Sequence, residues 1–361
     1  MFFYSLILTV FFIILLNCND KHPRYKVFSL ATVSTILILI IGLRHYELGL
    51  NDTKMVYIPE FKKILKLEMI DVFKSFKDPI FYCLTKLYSF LSTNIQIWLL
   101  ICAAAYIVPV MKIIKEESPI VIVSVFVFIA LNFFGMGFSG VRHCIALGIL
   151  LNCFDALNKE NYKRFIIVVL IASMFHVSAL IMFLIYPVLK IIKILNNKKF
   201  IHSLYIILII YAINMFVGRQ IIDGCIDFIV NVLKMERFKV YFVKNHTTLT
   251  STSFYINALM YIFIGSLLSN NSNRRNSILI SFQFIATVLT MFVPIFGEFY
   301  RLSMFFSIFL ILSLPEAIKQ FKSKDTVLIV TLLLVFVFAL YFLFFSAKNN
   351  GIIPYKIFYV N

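Results

Sequence analysis

The chain has 361 residues, 61% hydrophobic, 17% aromatic and only 14% charged, with a mean hydropathy of +0.94. That leaves too little polar surface to solvate a globule, so a soluble domain is excluded and an all-α polytopic integral membrane protein is expected. The formal charge of +17 does not point to nucleic acid, because the basic residues gather in loops between apolar runs, where they set membrane orientation.

A helix crosses the hydrocarbon layer with about 20 apolar residues. The first candidate, 2–17, starts without a basic leader or a small-residue cleavage site and reads as a retained span, not a signal peptide. The second covers 27–43. A long loop, 44–93, follows, and within it FKKILKLEMIDVFKSF carries apolar residues at helical spacing among lysines. That pattern predicts an amphipathic helix lying on the membrane surface. Further spans are expected at 95–111, 119–135 and 141–157. From 164 to 195 the apolar run is too long for one upright helix and holds SMFHVSALI near its middle. It is one long tilted helix, two short spans or a re-entrant hairpin. Spans at 201–218, 253–270, 277–296, 300–315 and 326–346 follow, with a second long loop at 219–252. The whole of 1–361 reads as one transmembrane domain.

Basic clusters arbitrate among these options. They stand at Lys21/Arg24/Lys26, Lys112/Lys115, Lys159/Lys163/Arg164, Lys190/Lys193/Lys198/Lys199, Arg274/Arg275 and Lys319/Lys322/Lys324, and short loops rich in Lys and Arg belong on the cytoplasmic side. All fall on one side only if 164–195 passes twice through the membrane or turns back within it, near Phe175 and His176. About twelve spans result, ten to twelve depending on a break or re-entry near 164–195, with both termini and both long loops outside. The six cysteines lie mostly in apolar runs without C-x-x-C spacing and read as small core residues, neither disulfides nor metal ligands.

Most basic residues here are Lys, so the arginines stand out. Arg44, Arg142 and Arg301 each abut an apolar run and face outward on this topology. Three guanidinium groups at one interface suit the phosphates of a lipid-anchored substrate. Arg142 and His143 follow FFGMGFSG, a helix break whose next helix offers free N–H groups to an anion; alternatively Arg142 snorkels to lipid phosphates. Arg301 follows Glu298 and Tyr300, as part of a phosphate clamp or of a local Glu–Arg pair. Arg44 opens a polar cluster with Glu47, Asp52 and Tyr57, which either binds sugar hydroxyls or forms a turn around Gly49 and Asn51. Asp78 supplies a carboxylate to the site or simply starts a helix before Pro79. His176, beside Ser178 in an apolar run, is the leading candidate for proton transfer, against an imidazole merely satisfied by a neighbouring carbonyl or hydroxyl. There is no D-x-D-like carboxylate cluster for a metal–nucleotide sugar, and no P-loop or HExxH.

Several short motifs, in order, resemble the EpsG-type, Wzy-like polysaccharide polymerases. They are Arg44/Gly49/Asp52/Tyr57, Asp78/Pro79/Phe81, Arg142/Ala146, Phe175/His176/Ser178/Ala179 and the late Arg301. The chain departs from that pattern at His143, where Gln is frequent, and at Asp78, where Glu is commoner. The resemblance implies a metal-independent glycosyltransferase of O-antigen, capsule or exopolysaccharide assembly. Such an enzyme joins undecaprenyl-pyrophosphate-linked oligosaccharide repeat units at the outer face of the bacterial inner membrane. It would work beside a flippase and a chain-length regulator, in contact with membrane lipid. In that setting Arg142 and Arg301 would hold pyrophosphate, His176 would take a proton, and Arg44, Asp52 and Tyr57 would orient sugars. A glycan ligase on the same lipid carrier, or a flippase for lipid-linked oligosaccharides, is the alternative.

Overall fold

The computed structural model describes residues 1–16, 18, 23–50, 52–76, 78–191, 197–227, 250–271 and 273–357. Lys21, Lys193 and most of the predicted second loop, 228–249, fall outside these residues. Every regular element among the described residues is helical, apart from one isolated β-bridge.

In chain order, α1 (Phe2–Leu15) and α2 (Pro23–Gly42) precede a π-helical turn, Thr53–Tyr57, and three short helices. These are α3 (Ile58–Lys66), α4 (Met69–Ser75) and α5 (Pro79–Ser89). Next come α6 (Ile95–Glu117), α7 (Val121–Ala130), α8 (Phe133–Met136), α9 (Val141–Leu150), α10 (Asn152–Asn158) and α11 (Tyr162–Phe175). A 3₁₀ segment, Val177–Leu184, leads into α12 (Ile185–Ile191), α13 (Asn197–Asp227), α14 (Thr250–Leu268), α15 (Arg274–Met291) and α16 (Phe299–Ser307). The chain continues through α17 (Leu310–Ile318), α18 (Lys324–Tyr341) and α19 (Ala347–Asn349).

By length and composition, four of the described helices can cross a membrane: Pro23–Gly42, Ile95–Glu117, Lys198–Val217 and Lys324–Asn349. The pair Phe299–Ser307 and Leu310–Ile318 raises this to five if it counts as one broken span. Other predicted spans are shorter or interrupted, each for a local reason. The 119–135 run breaks where Asn132 enters the left-handed region, at φ 69°. The 141–157 run divides after Leu150, where polar Asn152 and Asp155 enter the pattern. The 164–195 run is not one long helix: α11 ends at Phe175, and His176 is extended at φ −157°, ψ 110°.

The helices form two compact units, Met1–Leu180 with Leu310–Asn361, and Ile181–Phe309. In the first, α6 packs against both α2 and α9, and α9 against α11. Gly148 of α9 lets that helix approach Ala105 of α6 closely, while Cys144 shares a small cavity with Cys102, so α6 and α9 run in the same direction. α7 is buried on every side and packs against α17 and α18.

One end of this unit gathers the start of α1, the end of α2, the starts of α6 and α9 and the end of α11. Gln96 donates to the Gly42 carbonyl there. Residues 350–357 cross the same end. The His45 N–H donates to the Lys356 carbonyl at 2.8 Å, the Tyr355 hydroxyl to Ile40 at 3.0 Å, and the Tyr4 hydroxyl to Ile352 at 3.3 Å. The opposite end carries Lys112, Lys115, Lys159 and Arg164, with Asp155 bridging Lys159 at 2.8 Å and Arg164 at 2.6 Å.

The second unit is an up-and-down arrangement of α13, α14 and α15. Ser203 bonds to the Tyr261 hydroxyl near one end, and Asn214 donates to the Met291 carbonyl near the other, at 2.9 Å. Lys198, Lys199, Arg274 and Arg275 share the first of these ends. A turn packed from Phe292, Ile295, Phe296 and Phe299 closes the other.

The stretch read as a single amphipathic helix in 44–93 is two helices. Leu67, at ψ 152°, separates α3 from α4. Phe61, Ile64 and Val72 turn inward against α5, so the apolar face is largely spent inside the protein. Ile70 and Phe73 remain exposed.

Candidate functional site

At the loop-bearing end of the first unit, short helices bring Asp78, Arg142 and His176 together from three distant parts of the sequence. Arg142 owes its place to the preceding glycines. Gly137 lies against the tip of the Ile41 side chain, and Gly140 is the N-cap of α9. Arg142 and His143 therefore occupy the first turn of that helix, where backbone N–H groups lack helical acceptors and favour an anion.

Asp78 stands at the N-cap of α5 ahead of Pro79, as an Asp-Pro helix start predicts, yet its side chain makes no capping bond. The carboxylate turns instead to Arg142, whose Nη1 donates to Asp78 Oδ2 at 2.9 Å. The same oxygen lies 3.9 Å from His176 Nδ1. His143 is buried and packs edge-on against His176, with ring centroids 5.4 Å apart.

Two aromatic rings frame the Arg142 guanidinium, Tyr82 at 5.2 Å and Tyr57 at 6.0 Å, a setting that stabilises a cation beyond its ion pair. The Tyr82 hydroxyl donates to Glu60 Oε2 at 2.5 Å. Burial pushes the Tyr57 and Tyr82 phenols up, against the opposing pull of Arg142, so both stay neutral donors. Beneath them a core of Ile64, Val72, Phe81, Tyr82, Cys102, Val141 and Ile145 holds the cluster, with Phe175 packed against it. Glu60 and Tyr82 were not singled out from the sequence. The available signal was spacing: Glu60 follows Tyr57 by three residues and Tyr82 follows Asp78 by four, so each pair shares a helical face.

Arg44 behaves differently. Its side chain is fully buried, donating to the Ile41 carbonyl at 2.6 Å and to Thr53 Oγ1 at 3.0 Å. Its backbone forms the β-bridge with Ile357, and its guanidinium lies 5.9 Å from the Phe138 ring. Burial pushes it down to about 10, still protonated near neutral pH. So enclosed, it holds the start of the loop. A lysine cannot reproduce the planar fork. Arg44→Lys is expected to cost about 1–3 kcal/mol, seen as a lower thermal midpoint of the purified protein in detergent.

The remaining predicted residues are more dispersed. Glu47 is on the surface, 3.5 Å from Lys54, 3.7 Å from His45 and 4.0 Å from Lys356. Asp52 begins the π-turn that carries Tyr57. Ser178 sits in the 3₁₀ segment just past His176. Glu298, Tyr300 and Arg301 belong to the second unit, where Glu298 stands at the N-cap of α16 and forms an ion pair with Arg301 at 3.5 Å. Among the described residues, no group of three or more His, Cys, Asp or Glu is set to hold a metal ion.

The sequence model of the EpsG family matches residues 26–357. No curated protein and no solved structure gives a match.

Proposed function

The chain belongs to the EpsG family, and from that premise we propose that it is a multi-pass membrane polysaccharide polymerase. It joins undecaprenyl-pyrophosphate-linked oligosaccharide repeat units at the outer face of the bacterial inner membrane. The observation that carries this reading is the Asp78–Arg142–His176 cluster at the first turn of α9. A cation, a helix N-terminus and an imidazole converge there, which is what transfer from a phosphate leaving group requires.

In the reaction an acceptor hydroxyl attacks the anomeric carbon of the donor. The new C–O bond forms as the bond to pyrophosphate breaks, and the electron pair leaves with undecaprenyl pyrophosphate. Arg142 and the α9 N–H groups stabilise that charge. His176 takes the hydroxyl proton. Tyr57 offers its ring and hydroxyl to sugars, Tyr82, buried and bonded to Glu60, steadies Arg142, and His143 packs the imidazole. Arg44, Asp52 and Thr53 hold the loop that presents Tyr57, while Glu47 and Ser178 border the substrate path. No metal or nucleotide cofactor takes part.

The orientation follows from charge. In the first unit Lys112, Lys115, Lys159 and Arg164 stand at the end away from the cluster, which supports a cytoplasmic placement of that end and an outward site. The start of α1 and residues 350–357 lie at the same end, which supports an even number of crossings; twelve is the count that keeps every basic cluster inside. A flippase and a chain-length regulator of the same pathway would be its partners, and lipid surrounds it.

Deletion of the gene, with complementation by wild type and by His176→Ala, tests this. A lost polymer ladder, with single repeat units left on the carrier, is expected in the deletion and in the His176→Ala strain. Full-length polymer accumulating on its carrier would mark a ligase instead. Lipid-linked units trapped on the cytoplasmic face would mark a flippase.

A further inference from the structure

The cluster holds an unmatched pair. Asp78 Oδ2 is spent on Arg142 at 2.9 Å, while the His176 Nδ1 that faces it stands at 3.9 Å, about 1 Å beyond an ordinary hydrogen bond. That Nδ1 is buried and has no hydrogen-bond partner, an arrangement that costs stability unless it serves a purpose. The carboxylate itself is not otherwise tied down, since it makes no capping bond to α5. The imidazole is held: its backbone is extended at the end of α11 and its ring packs edge-on against His143. One anion therefore has two candidate partners and currently serves one.

We propose that Asp78 is a positioning residue that exchanges partners: donor phosphates draw Arg142 away, and the freed carboxylate closes on His176 Nδ1. This rests on the polymerase reading, because it needs a phosphate-bearing donor at Arg142. Once Nδ1–H points at Asp78, Nε2 carries the free lone pair. It takes the acceptor proton as the hydroxyl O–H breaks and the Nε2–H forms. The resulting imidazolium is balanced by Asp78, while the pyrophosphate leaving group is balanced by Arg142. In the substrate-free enzyme both charges are paired with each other, which accounts for the short Asp78–Arg142 contact. The base is thereby made ready by the donor. The other groups facing His176 are Arg142 and His143 from α9. Tyr82 on α5, and Tyr57 and Glu60 at the start of α3, lie around Arg142 and change little in the exchange.

The test is the titration of His176 by NMR in the purified full-length protein carrying ring-labelled histidine, with His176→Ala to assign the signal. Inorganic pyrophosphate serves as the probe. Saturating pyrophosphate is expected to raise the apparent pKa of His176 by about one unit or more, as a carboxylate moves into contact. Asp78→Asn should bind pyrophosphate at least as tightly, because Arg142 is released, yet show no such rise. Its kcat in polymer extension should fall by about 10²-fold or more, with KM for the donor changed little. Pyrophosphate binding that leaves the wild-type His176 titration unmoved overturns the exchange and leaves the polymerase reading standing. So does a rise that persists in Asp78→Asn. Failure of the wild type to bind pyrophosphate at all removes the phosphate clamp, and both readings fall with it.

Discussion

Replacing Arg142 by Ala is expected to lower polymer extension by about 10²–10³-fold, the usual cost of removing one donor aimed at developing charge. The effect should fall on kcat more than on KM, because the charge on the leaving pyrophosphate grows as its C–O bond breaks. The guanidinium is fitted to this task by its surroundings. It stands in the first turn of α9, between the rings of Tyr57 and Tyr82, and is paired with Asp78. Arg142→Lys should recover little, since an ammonium cannot present a planar fork to two phosphate oxygens. One side effect needs control. Asp78 is only 5% exposed, so losing its partner leaves a buried carboxylate uncompensated. The double variant Arg142→Ala/Asp78→Asn removes that burden. If it is as inactive as Arg142→Ala while regaining the wild-type thermal midpoint, the loss is chemical. Wild-type extension rates in Arg142→Ala membranes would rule out the clamp. The assay is the length distribution of glycan made from lipid-linked repeat units by the reconstituted protein.

The second large effect concerns Gly49, in the turn between Arg44 and Tyr57. Its φ is +74°, and a Cβ there would meet the Phe138 carbonyl oxygen at 2.5 Å and the carbonyl carbon at 2.6 Å. Those are backbone atoms, which no rotamer change can move. Gly49→Ala therefore combines left-handed strain with overpacking and is expected to destabilise by about 2–4 kcal/mol. The damage should be local in origin, because the Gly49 N–H donates to the Gly351 carbonyl at 3.3 Å and its carbonyl accepts from Asp52 at 3.4 Å. Limited proteolysis or hydrogen exchange should show 44–57 and 350–357 opening together, with α7 unaffected. An unchanged thermal midpoint and unchanged exchange would show that Phe138 can yield.

These two residues also show how far the sequence could be read. Arg142, Asp78 and His176 were chosen for chemistry that does not depend on fold, and the folded chain brings them to one place. The break at His176 was legible because an apolar run of that length cannot be one upright helix, and because the basic clusters demanded a turn there. Arg44 shows the limit. By type and position it resembled Arg142, but its fate depends on what covers it. The segment that covers it, 350–357, lies hundreds of residues away, beyond any local pattern. Gly49 and Asp52 were legible as a turn, but not the Phe138 backbone that requires a glycine. The amphipathic stretch in 44–93 was legible as helical, but not its division at Leu67 or its packing against α5. Periodicity detects an apolar face without saying whether lipid or α5 will cover it. Tyr82 and Glu60 were within reach of helical spacing, but only once α3 and α5 were known to lie side by side.

The crossing of residues 350–357 over the first loop has a consequence in time. Arg44 is synthesised more than three hundred residues before Ile357, and ribosomes add about 5–20 residues per second. The loop that presents Tyr57 therefore exists for roughly 15–60 seconds before the segment that closes over it has been made. During that interval the guanidinium is open to water and lipid headgroups. Enclosure of Arg44 thus comes among the last steps of maturation, and a ribosome stalled short of Tyr355 would leave α1 through α11 inserted with the loop unfastened.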